Sequence, residues 1–332
     1  MGKKKILLLN VGSSTIKWLF LSGKKLQGKE ENLSKLQDYD DALERIVKKI
    51  EIPEVIVHRI VHGGEISKPQ IISNNLLSQL EKISKLAPLH NIPEVRVIKK
   101  CKEIFSCRQI AVFDTSFYTG MPKLAKMYGL PYSFFEKGIR RYGFHGLSHE
   151  FITDEVEKKF GKNKKLISCH LGAGCSITAI KGKKPLDTSM GFTPLEGVMM
   201  ATRSGSIDPS IVLYLEKEKK MSIAGINDLL NKKSGFFGIS GILDMKKLIN
   251  SKSEKAKLAV ELFCYLIAKQ ISSYLSVLGG ADIIAFTGGI GENEGRIRKK
   301  IVNRLQFLKK KVIVIKTNEF EIMLDKAEKL IN

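Results

Sequence analysis

One pattern occurs twice in this chain: an apolar run, a tight turn of glycine and small residues, and a second β-rich run. Residues 5–9, the turn Val11-Gly12-Ser13-Ser14 and residues 15–21 make the first copy. Residues 166–171, Gly172-Ala173-Gly174 and residues 175–180 make the second. Apolar runs of this length bounded by turn residues read as buried strands, and two across a short turn read as a hairpin. Each hairpin opens a block of strands and helices. Strands are expected at 55–61 and 109–113 in the first block, and at 282–286 and 312–315 in the second. Helical patterns fall at 41–50, 76–86 and 94–105, then at 149–160, 253–278, 294–305 and 319–330. Asp208-Pro209 marks a further helix start, with Asp as cap and Pro at the first helical position. The repetition predicts a duplicated α/β domain. No Pro/Ser-rich linker separates the blocks, so the domains are expected to meet directly across a cleft.

Composition narrows the class. The 332 residues are 43% hydrophobic and 27% charged, as in a folded globular protein long enough for two domains. Lys plus Arg is 56 against 34 Asp plus Glu, a net charge of +22, which points to an anionic partner. The excess is mostly lysine in scattered pairs such as Lys48-Lys49 and Lys299-Lys300. No basic stretch is interleaved with aromatics, so neither nucleic acid nor membrane is expected as a partner. The five cysteines form no CxxC pair, which fits a reducing, cytoplasmic setting. The basic start at residues 1–10 has too short an apolar run for a signal sequence, and no uncharged apolar stretch reaches membrane-spanning length.

Three turns could hold phosphate. Asn10-Val11-Gly12-Ser13-Ser14-Thr15-Ile16-Lys17 combines amide donors, hydroxyls and a lysine. His170-Leu171-Gly172-Ala173-Gly174-Cys175-Ser176 lets the backbone approach an anion closely. Thr287-Gly288-Gly289-Ile290-Gly291-Glu292-Asn293 joins a strand to a helix and offers an N-terminal anion site. None is a GxxxxGK[ST] loop.

All six histidines precede residue 171, and His62, His90, His145 and His170 sit in segments marked by glycine or proline. Placement in loops favours function over packing. Arginine is scarce, ten against 46 lysines. Arg59 ends a strand and Arg203 lies in Thr202-Arg203-Ser204-Gly205-Ser206, and a planar guanidinium fits carboxylate or phosphate as lysine cannot. Asp114 and Glu319 each follow a strand, where open α/β sheets place their sites. Two such acids beside phosphate turns suggest magnesium, and either could instead cap a helix.

Six segments together resemble the acetate kinase family: Asn10 to Ser14, His58-Arg59-Ile60-Val61-His62-Gly63-Gly64, Leu86-Ala87-Pro88-Leu89-His90-Asn91, Tyr142-Gly143-Phe144-His145-Gly146, Met190-Gly191-Phe192-Thr193-Pro194-Leu195-Glu196-Gly197, and Phe286 to Asn293. The match runs in order from residue 6 to about 325. It implies two ribonuclease H-like domains of the actin and sugar-kinase superfamily around a nucleotide cleft, one formed by residues 1–117 with about 320–332, the other by 118–319. It also implies reversible transfer of the ATP γ-phosphoryl to acetate, with magnesium or manganese, in a homodimer.

By position, Asn10, Ser13, Thr15 and Lys17 match the first phosphate motif, and Arg59 and Arg203 match the arginines at the carboxylate and transferring phosphoryl. His145 matches a transition-state histidine, and His90 and His170 match active-site histidines. Asp114 and Glu319 match acids linked to the metal, with Asn10 beside Glu319. Val61, Leu89, Phe144 and Pro194 match the pocket for the acetate methyl. His170, Leu171, Gly172, Ala173, Gly174, Gly289, Ile290, Gly291 and Asn293 match the nucleotide loops, and Asp244, Met245 and Lys246 the adenine side. The chain departs from the family where Ala173 replaces a common Asn, Tyr118 a common His, Lys246 an Arg and Lys316 a Pro. It is also several dozen residues shorter, mainly between residues 21 and 38 and between 305 and 312. Direct in-line transfer is expected, because a loose phosphoryl transition state asks for alignment and charge neutralisation rather than a protein nucleophile. The rivals are a propionate or butyrate kinase of the same family, a catalytically weakened nucleotide-binding homologue, and a nucleic-acid binder.

Overall fold

The computed structural model describes residues 4–308 and 310–331. The outer limits of the expected domains, residues 1 and 332, and the first three residues of the basic start lie outside them. The chain divides into two compact units. One comprises Met1–Thr119, Phe144–Leu147 and Asn318–Asn332, the other Gly120–Gly143 and Ser148–Thr317.

The first unit is built on strands β1 (Ile6–Val11), β2 (Ile16–Leu21), β3 (Lys25–Glu30), β4 (Val55–Ile60), β5 (Gln70–Ile71) and β6 (Arg108–Phe113), in the order β3-β2-β1-β4-β6-β5. β1, β4 and β6 run parallel, and β2 and β3 fold back antiparallel beside β1. Parallel strands covered on both faces read as unbroken apolar runs, and β4 is buried throughout. One core packs Leu7, Leu9, Trp18 and Phe20 against Tyr39, Leu43 and Ile46 of the helix Leu36–Val47 and Val97 and Cys101 of the helix Pro88–Ile104. A second packs Ile60 and Phe113 against Leu76, Leu80, Val95 and Ile98.

The second unit repeats the plan with β7 (Lys165–Leu171), β8 (Cys175–Lys181), β9 (Lys184–Thr188), β10 (Ile283–Thr287) and β11 (Lys311–Val314), in the order β11-β10-β7-β8-β9. In both sheets the opening strand pairs antiparallel with the second strand and parallel with the fourth of its unit. The two hairpins therefore open two sheets of the same α/β fold. The helix Glu254–Leu278 is long and apolar enough, by length and composition, to cross a membrane. The sequence criterion passed over it because of its charged residues. Here it buries Phe263, Ile267 and Ile271, and Phe263 meets Phe236 edge-to-face at 5.8 Å.

Strand β3, KLQGKE, was not expected, because an edge strand with exposed faces carries no apolar run. The turn expected after β10 is instead a six-residue helix, Gly288–Asn293.

Candidate active site

Parallel strands end at one edge of their sheet, and the first unit uses that edge to gather charge. β1 and β4 pair Leu9 with His58, so one residue further on Asn10 stands beside Arg59. β4 and β6 pair Arg59 with Val112, and Asp114 follows immediately on β6. The Asp114 carboxylate accepts from Arg59 through Nε at 3.2 Å and Nη2 at 2.5 Å. Arg59 Nη1 donates to Asn10 Oδ1 at 2.9 Å, and Asn10 Nδ2 donates to Glu319. Arg59, Asp114 and Asn10 are all buried. Burial alone would lower the Arg59 guanidinium, but the carboxylates of Asp114 and Glu319 outweigh it and hold the group above its ordinary value. Burial pushes the Asp114 carboxyl up while Arg59 draws it back. Glu319 is the first residue of the helix Glu319–Ile331, and Asp114 opens a 3-10 turn, Asp114–Tyr118.

His145 joins this group through its backbone. Its N–H donates to Asp114 Oδ2 at 3.2 Å, and its φ of +57° lies in the left-handed region. A non-glycine residue held there is strained, and such strain clusters at functional sites. Gly146 follows because a Cβ would lie 1.8 Å from the Asp114 carbonyl oxygen. The Phe144 carbonyl accepts from the Tyr118 hydroxyl at 2.9 Å, and the Phe144 ring meets His62 edge-on at 5.4 Å. Tyr118 thus fixes the loop. Val61 and Phe144 are buried and Leu89 is half-buried.

Of the four histidines expected in loops, His62 and His145 are in loops. His90 lies in the first turn of the helix Pro88–Ile104, because Pro88 starts that helix at its first position. His170 lies within β7, whose strand runs on to Leu171. The first turn closes through a Gly12 N–H to Thr15 carbonyl bond of 2.7 Å, with Ser13 and Lys17 exposed and Thr15 half-buried.

In the second unit two glycine turns lie side by side. β7 and β10 pair His170 with Thr287, so both turns leave adjacent parallel strands. A Cβ on Gly172 would sit 4.0 Å from the Gly289 nitrogen. Gly288, at φ +78°, passes so close to Leu171 that a Cβ would lie 2.8 Å from its carbonyl oxygen. The short helix after β10 does not present its first donor outward. The Glu292 carboxylate accepts from Gly288 N–H at 3.0 Å, from Thr317 N–H at 2.9 Å and from the Thr287 hydroxyl at 3.2 Å. The first N–H of the expected N-terminal anion site is therefore taken by the protein's own acid. Gly289, Ile290 and Gly291 follow, and Asn293 Nδ2 donates to the Gly289 carbonyl at 2.8 Å. His170 Nδ1 is 2.8 Å from Ser148 Oγ.

The Ala173 carbonyl accepts from Ala201 N–H at 3.1 Å, which ties the segment leading to Arg203 to the second turn. Arg203 Nη1 donates to the Pro194 carbonyl oxygen at 3.2 Å. Burial draws the Arg203 guanidinium down to about 10. The Pro194 loop is braced by Tyr128, whose hydroxyl bonds Glu196 and accepts from Phe192 N–H at 2.7 Å, and by Arg141, which donates to Glu196 at 2.7 Å. Asp244 is exposed and caps the helix Met245–Asn250 through Lys247 N–H at 2.8 Å. Met245 is buried and Lys246 exposed.

Sequence reasoning missed the acids that act inside the protein, Glu292 and Glu94. The signal for Glu94 was an acid three residues after Asn91 on the apolar stripe of a helix. Among the described residues no group of three or more His, Cys, Asp or Glu is placed to hold a metal.

Residues 21–321 match the model of the acetokinase family. The acetate kinase of Carboxydothermus hydrogenoformans is 40% identical over 389 aligned residues, covering 97% of this chain and 98% of that protein. Among solved structures, a propionate kinase from Francisella tularensis matches with a TM-score of 0.87 at 34% identity, covering 98% of this chain and 99% of that one. The acetate kinase of Porphyromonas gingivalis matches with a TM-score of 0.85 at 31% identity, covering 99% and 100%.

Proposed function

The chain belongs to the acetokinase family, and on that premise we propose that it transfers the γ-phosphoryl group of ATP to acetate, reversibly and by direct in-line displacement, giving acetyl phosphate and ADP. The observation that carries this reading is Arg59, held by Asp114 and Asn10 at the carboxyl ends of parallel strands. A guanidinium has five N–H donors. Three are taken by these partners, and the other two are offered to an oxyanion. Because the protein fixes the group in advance, no reorganisation is needed when charge develops on the transferring phosphoryl.

In this reading Arg59 orients the acetate carboxylate, and Arg203 neutralises the equatorial oxygens. His145 stabilises the transferring group from its strained position, and Asp114 keeps both Arg59 and the His145 backbone in place. His90 belongs to the proposed catalytic set. Asn10, Ser13, Thr15 and Lys17 of the first turn hold the terminal phosphates. The paired turns His170 to Gly174 and Gly289 to Asn293 hold the nucleotide by close backbone approach, with Asp244, Met245 and Lys246 on the adenine side. Val61, Leu89, Phe144 and Pro194 enclose the methyl group. The two compact units serve as the two functional domains.

Family members use ATP with a divalent metal. Magnesium suits this donor set, because it binds through one or two carboxylates plus substrate phosphates rather than in a protein cage. Glu319, steadied by Asn10, would hold it, and when bound it would offset phosphate charge. A homodimer is supported by the helix Pro209–Lys217, which buries no residue in this chain and exposes Ile211, Leu213 and Tyr214. The buried cysteines fit a cytoplasmic setting.

The likeness to a propionate kinase favours a second reading, in which propionate is the better acceptor. One methylene in an apolar pocket is worth about 1–3 kcal/mol. Initial rates of ADP formation on acetate, propionate and butyrate separate the two. The acetate reading requires kcat/KM to fall in that order, and a maximum at propionate or butyrate would reassign the acceptor.

A further inference from the structure

Behind the proposed acyl contacts lies a polar pair that the chemistry has not yet used. In the helix Pro88–Ile104, Asn91 and Glu94 occupy the same face as Val95, Ile98 and Cys101, one turn apart, and both are fully buried. Asn91 clamps the backbone of His62 from both sides: its Oδ1 accepts from His62 N–H at 3.1 Å and its Nδ2 donates to the His62 carbonyl at 2.8 Å. Glu94 takes the preceding residue. Its two carboxyl oxygens accept from Val61 N–H at 3.2 and 3.1 Å. The two side chains together replace a neighbouring strand for the segment that follows Arg59.

We propose that Glu94 is a positioning residue for the acyl substrate: by holding Val61 N–H it fixes the spacing between the Val61 side chain and the Arg59 guanidinium, and so sets affinity for the carboxylate. This rests on the reading of Arg59 and Val61 as acetate contacts. A buried acid is a costly way to accept one backbone bond unless it is neutral. Burial pushes the Glu94 carboxyl up to about 8, with Arg59 and the Val61 N–H opposing and Asp114 reinforcing. The ionisable groups that face it are Arg59 on β4, Asp114 after β6 and Tyr39 on the helix Leu36–Val47. Of the other elements packed on this helix, β1 has no ionisable side chain, and Asn74–Ile83 carries only Glu81 and Lys82, both exposed. Below that pH the carboxylic acid accepts through one oxygen and leaves the charge of Arg59 facing only Asp114 and Glu319. Once ionised, Glu94 adds a third negative charge around Arg59 and weakens its hold on acetate.

The test uses full-length protein, with KM measured separately for acetate and for ATP. Glu94→Leu removes the acceptor at similar volume and should raise KM for acetate on the order of tenfold with KM for ATP unchanged. Glu94→Gln keeps a neutral acceptor and should restore the wild-type KM for acetate at pH 7. Between pH 7 and 9, the wild-type KM for acetate should climb and that of Glu94→Gln should climb less. A folded Glu94→Leu with wild-type KM for acetate, a parallel rise for both substrates, or coincident pH profiles of wild type and Glu94→Gln would overturn the proposal. If Glu94→Leu does not fold, the Glu94→Gln profile decides alone. A wild type that phosphorylates no acetate refutes the parent reading instead.

Discussion

The two units open with the same hairpin and carry the same sheet order, yet they equip the ends of their strands in opposite ways. The first unit sets fixed charge there: Arg59, Asp114, Asn10 and Glu319 form one bonded chain. The second sets bare backbone there: Gly172 and Gly289 lie side by side after adjacent strands, and Glu292 accepts from the Gly288 and Thr317 N–H groups. In the proposed reading one architecture supplies two kinds of anion recognition: the acyl carboxylate is met by a guanidinium with a fixed fork, and the nucleotide by peptide groups that a chain can approach closely.

The sharpest way to break this contrast is to remove the charge from each unit in turn. Arg59→Ala should lower turnover by two to three orders of magnitude, about 2.7–4 kcal/mol for one charge-stabilising donor. It should also destabilise the protein by about 3–5 kcal/mol, because Asp114 is left as an uncompensated buried charge. Arg203→Ala should lose comparable activity with a smaller change in melting temperature. Equal destabilisation by the two variants would erase the distinction between the units.

Next in size are the glycines that let each edge close. Gly146→Ala should cost upward of about 3 kcal/mol, since its Cβ would strike the Asp114 carbonyl. Gly288→Ala should cost about 1–3 kcal/mol and raise KM for ATP more than KM for acetate. Thermal melts together with the two Michaelis constants read both.

Acid should unsettle both units. Burial depresses His58 and His62 to about 4 from an ordinary 6.5. A depressed folded value gives stability that is present above pH 6.5 and is lost as pH falls toward 4. At pH 5 each costs about 2 kcal/mol. His149 in the second unit is likewise driven well down by burial. Denaturant midpoints at pH 7 and pH 5 should therefore fall with acid, and a flat profile would contradict the burial of these rings. The smallest expected effect is Ala173→Asn, which adds one donor to the backbone-only turn and should lower KM for ATP a few-fold, about 1 kcal/mol.

Much of this was legible in the sequence because it is written in local pattern. Apolar runs gave β1 and β10, mostly apolar ones gave β4 and β7, and Asp208-Pro209 marked its helix start, where Asp208 caps Ser210 N–H at 2.8 Å. The edge strand β3 escaped because exposed pleats need no apolar residue. The long-range partners escaped for a different reason. Glu94 lies 33 residues from Val61, and Glu292 lies 25 from Thr317. Such acids look like solvated helix residues until the fold buries Glu94 and brings half-buried Glu292 to the Thr317 amide. Nothing local says that Glu292, the fourth residue on, takes the Gly288 N–H of the glycine segment after β10.

The most direct measurement is to trap acetyl phosphate with hydroxylamine in a mixture of ATP, acetate and magnesium. Wild type should form acetyl hydroxamate in step with ADP, and folded Arg59→Ala and Arg203→Ala should each form it at least a hundredfold more slowly. ADP released without hydroxamate, or hydroxamate made at the wild-type rate by either folded variant, would contradict transfer between two anions held by these guanidinium groups.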